Sequence, residues 1–233
     1  MLAELKREVL AANLELARRN LAIYTWGNAS GIDRGLGLVV IKPSGVDYAE
    51  LTEDLMTVVD LEGRVAEGKL RPSSDTPTHL ELYKNFPGIG GAVHTHSPWA
   101  TAWAQALTSL PCYGTTHADH FYGAVPCTPP LTREEIESDY EINTGKVIVR
   151  AFAELDHLAV QGVLVAQHGP FTWGSSPAQA VENSVVLEEI ARMAVLTRQI
   201  NPGITQVDHV LLDKHYLRKH GTNAYYGQKP AAE

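Results

Sequence analysis

Only two of the 233 residues are cysteines, Cys112 and Cys127. Two cannot build a disulfide scaffold, and no CxxC spacing offers a structural zinc knot, so free thiols in a reducing cytoplasm are expected. Long apolar runs are missing as well. None approaches the roughly 20 residues needed to span a bilayer, so no membrane association is expected. The opening stretch, MLAELKREVLAANLELARRN, carries charges throughout and reads as an amphipathic helix rather than a signal peptide. Basic residues are outnumbered: 19 Lys and Arg face 27 Asp and Glu, a net charge of −8. A protein that grips a nucleic-acid backbone needs a basic face, so nucleic acid is not an expected partner. A small phosphorylated molecule is compatible with this charge, because a few local donors can hold one. Repeats, low-complexity segments and linkers are absent. Apolar and charged fractions of 44% and 20% are those of one globular domain, here taken over 1–233.

Leu2, Leu5, Val9, Ala12 and Leu16 recur at helical spacing and predict a first helix over 2–19. The small and polar residues from Trp26 to Gly31 predict a loop whose backbone is open to a ligand. Strands are expected over 36–42, before the turn Pro43-Ser44-Gly45, and over 56–60 and 64–66 as a hairpin about Glu62 and Gly63. Ser73, Ser74 and Asp75 precede Pro77, a capping arrangement that starts a helix over 76–86. A strand over 91–96, a helix over 98–107, helical runs over 140–154 and 177–199, a buried strand over 162–167 and a last helix over 205–219 complete the expectation. Hairpins mixed with helix-separated strands predict a single α/β domain, with a central mixed, largely antiparallel sheet covered by helices.

His94-Thr95-His96 carries the sharpest chemical signal. Side chains two apart on a strand leave the same face, so two imidazoles can grip one cation. An isolated HxH pair also reads as two surface histidines. Here the pair ends the apolar run Gly91, Ala92, Val93, where a strand stops and a helix starts. His168 ends the second apolar strand in the same way. If the two strands are neighbours, three imidazoles converge, and three His with an open position is a catalytic zinc arrangement. Asp75, at a helix start, is placed to add an oxygen ligand.

Gly27-Asn28-Ala29-Ser30, Lys42-Pro43-Ser44-Gly45, Pro72-Ser73-Ser74-Asp75, His94-Thr95-His96 and Gln167-His168-Gly169 follow one another in this order. Together they resemble the class II aldolase/epimerase family, from near the N-terminus to the end. The stretch from Tyr113 to Asp119 and the tail from Lys219 to Gln228 resemble its pentulose-phosphate 4-epimerase branch. The resemblance implies the class II aldolase fold and a zinc ion, replaceable by manganese or cobalt, on His94, His96 and His168, with Asp75 beside it. In the related aldolases that last position is a glutamate acting as acid/base; the shorter aspartate favours an epimerase. Gly27, Asn28, Ser44, Gly45, Ser73 and Ser74 are implied to hold the substrate phosphate, helped by a helix N-terminus and by the charge of Lys42.

The implied reaction interconverts L-ribulose 5-phosphate and D-xylulose 5-phosphate. C4 bears no acidic proton, so inversion there requires cleaving C3–C4, rotating the aldehyde and re-forming the bond. The resemblance assigns Asp119 and Tyr226 as proton relays, one for each face of the aldehyde. His215 is implied to bind substrate, with Thr115 and Glu141 as further candidates. It also implies a cytoplasmic homotetramer with active sites between subunits. It extends equally to the arabinose-catabolic enzyme and to the related epimerase of ascorbate breakdown, which share chemistry and substrate. A sugar-phosphate aldolase and a non-catalytic module like the adducin head are the alternatives. His79, His117, His120, His157, His209 and His220 are expected to be ordinary polar residues.

Overall fold

The computed structural model describes residues 2–222 and 224–225; Tyr226 lies outside the described residues. Seven strands form one sheet: β1 (Asn28–Asp33), β2 (Leu38–Ile41), β3 (Thr57–Asp60), β4 (Val65–Glu67), β5 (Gly91–His94), β6 (Gly162–Val165) and β7 (Gly169–Gly174). Their spatial order is β4-β3-β2-β1-β5-β7-β6, and every neighbouring pair is antiparallel. The expected antiparallel sheet under helices is therefore what forms. Its helices are α1 (Ala3–Arg18), α2 (Thr76–Asn85), α3 (Pro98–Gln105), α4 (Thr115–Ala118), α5 (Arg133–Glu137), α6 (Tyr140–Ala151), α7 (Pro177–Ile200) and α8 (His209–His220). None is long and apolar enough to cross a membrane.

Adjacent side chains of one strand part to opposite faces. On β2, Val39 joins the main core with Leu80 and Tyr83 of α2 and with Phe171 and Trp173 of β7. Val40 joins a second cluster with Val9 of α1, Tyr48 and Met56. Helix α1 lays Val9, Ala12 and Leu16 onto the sheet, which is the stripe its spacing predicts.

Two expectations need correcting. Asn28–Asp33 is not a loop but a central strand between β2 and β5, almost wholly buried. Its small residues serve packing. A Cβ on Gly31 would come within 2.8 Å of Leu5 and Pro177 side-chain atoms, so only glycine lets α1 and α7 approach this closely. Asn13 of α1 then pairs with the backbone of Ala29 in both directions, at 2.9 and 3.0 Å. Nor are the two histidine-bearing strands neighbours. The predicted strand over 162–167 ends at Val165, turns through Gln167 in a left-handed conformation (φ 61°), and returns as β7 between β5 and β6. His168 sits on that turn, its N–H donating to Val165 O at 3.0 Å.

The antiparallel register gathers one edge of the sheet into a site. Asn28 pairs with His94, His94 with Phe171, and Ser30 with Ile41. The start of β1, the ends of β2 and β5 and the start of β7 therefore all meet at this edge.

Candidate metal centre and anion pocket

His94, His96 and His168 converge, with their ligand atoms all within 4.8 Å of one another. His94 and His96 turn their Nε2 atoms to face across 3.0 Å. The His94 Nδ1 meets the Pro170 carbonyl at 3.0 Å. A carbonyl only accepts, so Nδ1 carries the proton and Nε2 presents its lone pair to the shared point. Phe171 stacks on the His94 ring at 4.2 Å between centroids and fixes its plane. Gly169 lets β7 start hard against β5, since a Cβ there would lie 2.7 Å from the Thr95 carbonyl.

Burial drives the His94 imidazole down to about 3, although Asp75 opposes the shift. His96 and His168 are also lowered, chiefly by burial. Three neutral imidazoles aimed at one point form the donor set of a borderline cation such as zinc, so these residues fit a divalent metal.

Asp75 stands beside the trio rather than within that 4.8 Å group. It is the N-cap of α2, yet its carboxylate makes no capping bond. It accepts instead from Asn28 Nδ2 at 2.6 Å, and the same amide donates to Ser73 Oγ at 2.9 Å. Burial pushes the Asp75 carboxyl up, but the His94 and His79 rings and the Asn28 donor outweigh it and hold it below the ordinary range.

A cavity of about 530 Å³ opens over this edge, and it brings together Gly27, Asn28, Lys42, Ser44, Gly45, Ser73, Ser74, Asp75 and His96. Two loops build its wall: Ser44 N–H donates to Arg71 O at 2.9 Å and Ser73 N–H to Lys42 O at 3.0 Å. Gly27 is forced, because it has φ 73° and a Cβ would sit 2.8 Å from the His94 carbonyl. Lys42 is buried, and its Nζ donates to Val46 O at 2.7 Å. Burial lowers its pKa, with Asp47 pulling the other way. Its ammonium is thus engaged in stiffening the cradle. Asn28 has both amide donations committed, while its Oδ1 is buried and has no partner among the described residues. That atom suits a hydroxyl donor on a ligand, not a phosphate oxygen.

Asp119 and His215 meet each other but do not line this cavity. Asp119 follows α4 and accepts from three α8 contacts: His215 Nδ1 at 3.0 Å and Arg218 at 3.1 and 2.8 Å. Burial raises its carboxyl, and the Arg218 and His215 donors overcome this and keep it below the usual carboxylate range. Of the further candidates, Glu141 offers its carbonyl to Thr78 Oγ1 at 2.6 Å and Thr115 opens α4.

Some residues gave no signal in advance. The Trp26 ring, half exposed, leans over His96 at 6.3 Å and forms part of the cavity rim. Tyr140 places its hydroxyl 3.4 Å from His168 Nδ1. His79 is no ordinary polar residue: it is fully buried behind the site, with Nδ1 2.7 Å from Ser30 Oγ, which lies 2.7 Å from the Tyr83 hydroxyl. Its place one turn after Asp75, on the inward stripe of α2, was the available clue. His117 is buried as well, its Nε2 donating to Gly123 O at 2.8 Å.

Comparison with known proteins places this geometry. Residues 7–195 match the family model described as Class II Aldolase and Adducin N-terminal domain. The chain is 56% identical over 226 residues to the L-ribulose-5-phosphate 4-epimerase UlaF of Salmonella paratyphi A, covering 97% of this chain and 99% of that protein. An L-fuculose 1-phosphate aldolase structure superposes with a TM-score of 0.77 at 25% identity, over 91% of this chain and 94% of its own. The L-fuculose-1-phosphate aldolase of Thermus thermophilus does so with a TM-score of 0.68 at 25% identity, over 88% and 100%.

Proposed function

Because the chain belongs to the family of class II aldolase and adducin N-terminal domains, we propose that it is an L-ribulose-5-phosphate 4-epimerase. It would interconvert L-ribulose 5-phosphate and D-xylulose 5-phosphate by cleaving and re-forming C3–C4. One observation carries this reading: three convergent neutral imidazoles adjoin a pocket of hydroxyl and backbone donors, with His96 belonging to both. A 56% identical relative that bears the epimerase name supports it.

In this reading His94, His96 and His168 hold a zinc ion, with Asp75 beside it as an oxygen donor. Manganese or cobalt can substitute. The bound cation supplies Lewis-acid stabilisation of the charge that develops next to the substrate carbonyl. The hydroxyls of Ser44, Ser73 and Ser74 and the N–H groups of Gly45 and Ser74 hold the phosphate, and Asn28 Oδ1 accepts from a sugar hydroxyl. Asp119, kept ionised by Arg218 and His215, takes a proton on one face of the aldehyde, and Tyr226 serves the other. Both come from a neighbouring copy in a homotetramer. The separation of Asp119 and His215 from the cavity of their own chain supports a site completed between subunits. Two free thiols support a cytoplasmic location.

The family also accommodates an aldolase, as the fold neighbours illustrate. Asp75, where the aldolases carry a longer glutamate, favours the epimerase. Convergent neutral imidazoles count against a purely structural module. The test is a coupled assay of zinc-loaded protein with L-ribulose 5-phosphate. D-xylulose 5-phosphate is the expected product. Release of dihydroxyacetone and glycolaldehyde phosphate without the epimer would make it an aldolase, and no turnover with any divalent metal would leave a binding module.

A further inference from the structure

We propose that Tyr140 is a positioning residue for the metal centre: its phenol oxygen accepts the Nδ1 proton of His168 and so fixes the tautomer and ring plane of that ligand. The inference rests on the metal-centre reading above.

The three imidazoles are not equally secured. His94 belongs to a strand, stacks on Phe171 and ties its Nδ1 to a backbone carbonyl. His168 stands on a tight turn after the left-handed Gln167, so its backbone alone leaves the ring free to rotate about χ1 and χ2. Among the described residues, the hydrogen-bond partner of its ring is the Tyr140 hydroxyl, 3.4 Å from Nδ1. The phenol ring lies tilted against the imidazole at 6.2 Å. With Nδ1–H given to the phenol, Nε2 keeps its lone pair for the point that His94 and His96 also face. The His94 arrangement is thereby repeated, with Nδ1 tied behind and Nε2 open in front, the usual way an outer partner orients a ligating histidine.

Tyr140 can do this because its own place is fixed. It is the first residue of α6, and its carbonyl accepts from Thr144 Oγ1 at 2.9 Å. The next carbonyl, of Glu141, accepts from Thr78 Oγ1 of α2 at 2.6 Å. Gly145 lets α6 settle onto α2, since a Cβ there would lie 2.4 Å from that of Glu81. Helix α2 begins immediately after Asp75. The same helix pair therefore locates Asp75 on one side of the centre and the support of His168 on the other.

Tyr140→Phe keeps the ring and removes only the oxygen. Zinc affinity of the metal-free variant, measured by competition with a chromophoric chelator, should fall about 10- to 100-fold, and the visible spectrum of the cobalt-loaded protein should shift. Tyr122→Phe, which removes a phenol oxygen that meets Asp213 away from the centre, should bind zinc within about threefold of wild type. A loss below tenfold in Tyr140→Phe, or an equal loss in Tyr122→Phe, overturns the proposal. A second measurement needs no variant: nitrogen-15 shifts of His168 in the metal-free wild type should report a proton on Nδ1, and a proton on Nε2 overturns the proposal too. His168→Ala is run alongside. If it still binds zinc like wild type, the metal-centre reading fails, not merely the role of Tyr140.

Discussion

Asn28 and Asp75, 47 positions apart, are joined by a 2.6 Å bond from amide to carboxylate. Asn28 opens the central strand and Asp75 holds the N-cap position of α2, so this one contact ties the sheet edge to the helix that flanks the centre. It also diverts the carboxylate from its local capping task and adds to the His94 and His79 rings in holding it below the ordinary range.

Asn28→Ala removes that donor along with the one to Ser73. A hydrogen bond to a charged acceptor contributes roughly 1.5–3 kcal/mol. We expect kcat/KM for L-ribulose 5-phosphate to fall at least about tenfold while zinc content stays stoichiometric, as steady-state kinetics with metal analysis would report. Unchanged kinetics would mean that the amide is dispensable.

Ser44→Ala and Ser73→Ala should each raise KM for the phosphorylated sugar, with little change in bound metal. Each variant loses a hydroxyl in the cradle wall, again worth roughly 1.5–3 kcal/mol if it meets the phosphate. If KM stays the same in both, the phosphate binds elsewhere.

Acid sensitivity should come first from buried histidines. Burial lowers His79 and His117 to about 4 each. In the unfolded chain each titrates near 6.5. Between those values the unfolded chain takes up protons that the folded one refuses, so stability falls as pH drops from about 6.5 to about 4. Each group accounts for on the order of 3 kcal/mol across that window. Asp75 and Asp119 have depressed values, so they withdraw stability only at lower pH. The urea midpoint of the metal-free protein should therefore decline from pH 6.5 to 4.5, and decline less in His117→Gln. Parallel declines would show that His117 is not the neutral buried group described.

Asp119→Asn should block epimerisation yet leave zinc bound. Tyr226→Phe should do the same while retaining some condensation of dihydroxyacetone with glycolaldehyde phosphate. The stereochemistry at C4 is the readout. Epimerisation by Tyr226→Phe at the wild-type rate would refute a relay on each face.

Periodic and punctuated segments were legible in the sequence. Helix α1 follows from its apolar stripe, and α2 from Ser73, Ser74 and Asp75 ahead of it and Pro77 in its first turn. The pocket residues were legible through their motifs, and the cavity gathers nearly all of them. Asn28–Asp33 was not, because its small residues answer to two helices far along the chain, and local pattern cannot see that crowding. The hairpin at His168 stayed hidden because the residue in the left-handed turn is Gln167, neither glycine nor asparagine. Tyr140 was invisible for a related reason: its meaning comes from His168, 28 residues away.

The strand order has a consequence for the size of molecule the site can accept. The cradle loop leaves the end of β2, and His94 and His96 stand at the end of β5, with β1 between them. Two inter-strand steps, roughly 10 Å, separate the points of departure. Backbone ladder bonds set that interval, and no side chain can stretch it. The sheet edge thus works as a ruler: substitutions can change what is gripped at either end, but the span between the chelated and the anionic ends of a ligand is graduated in strands.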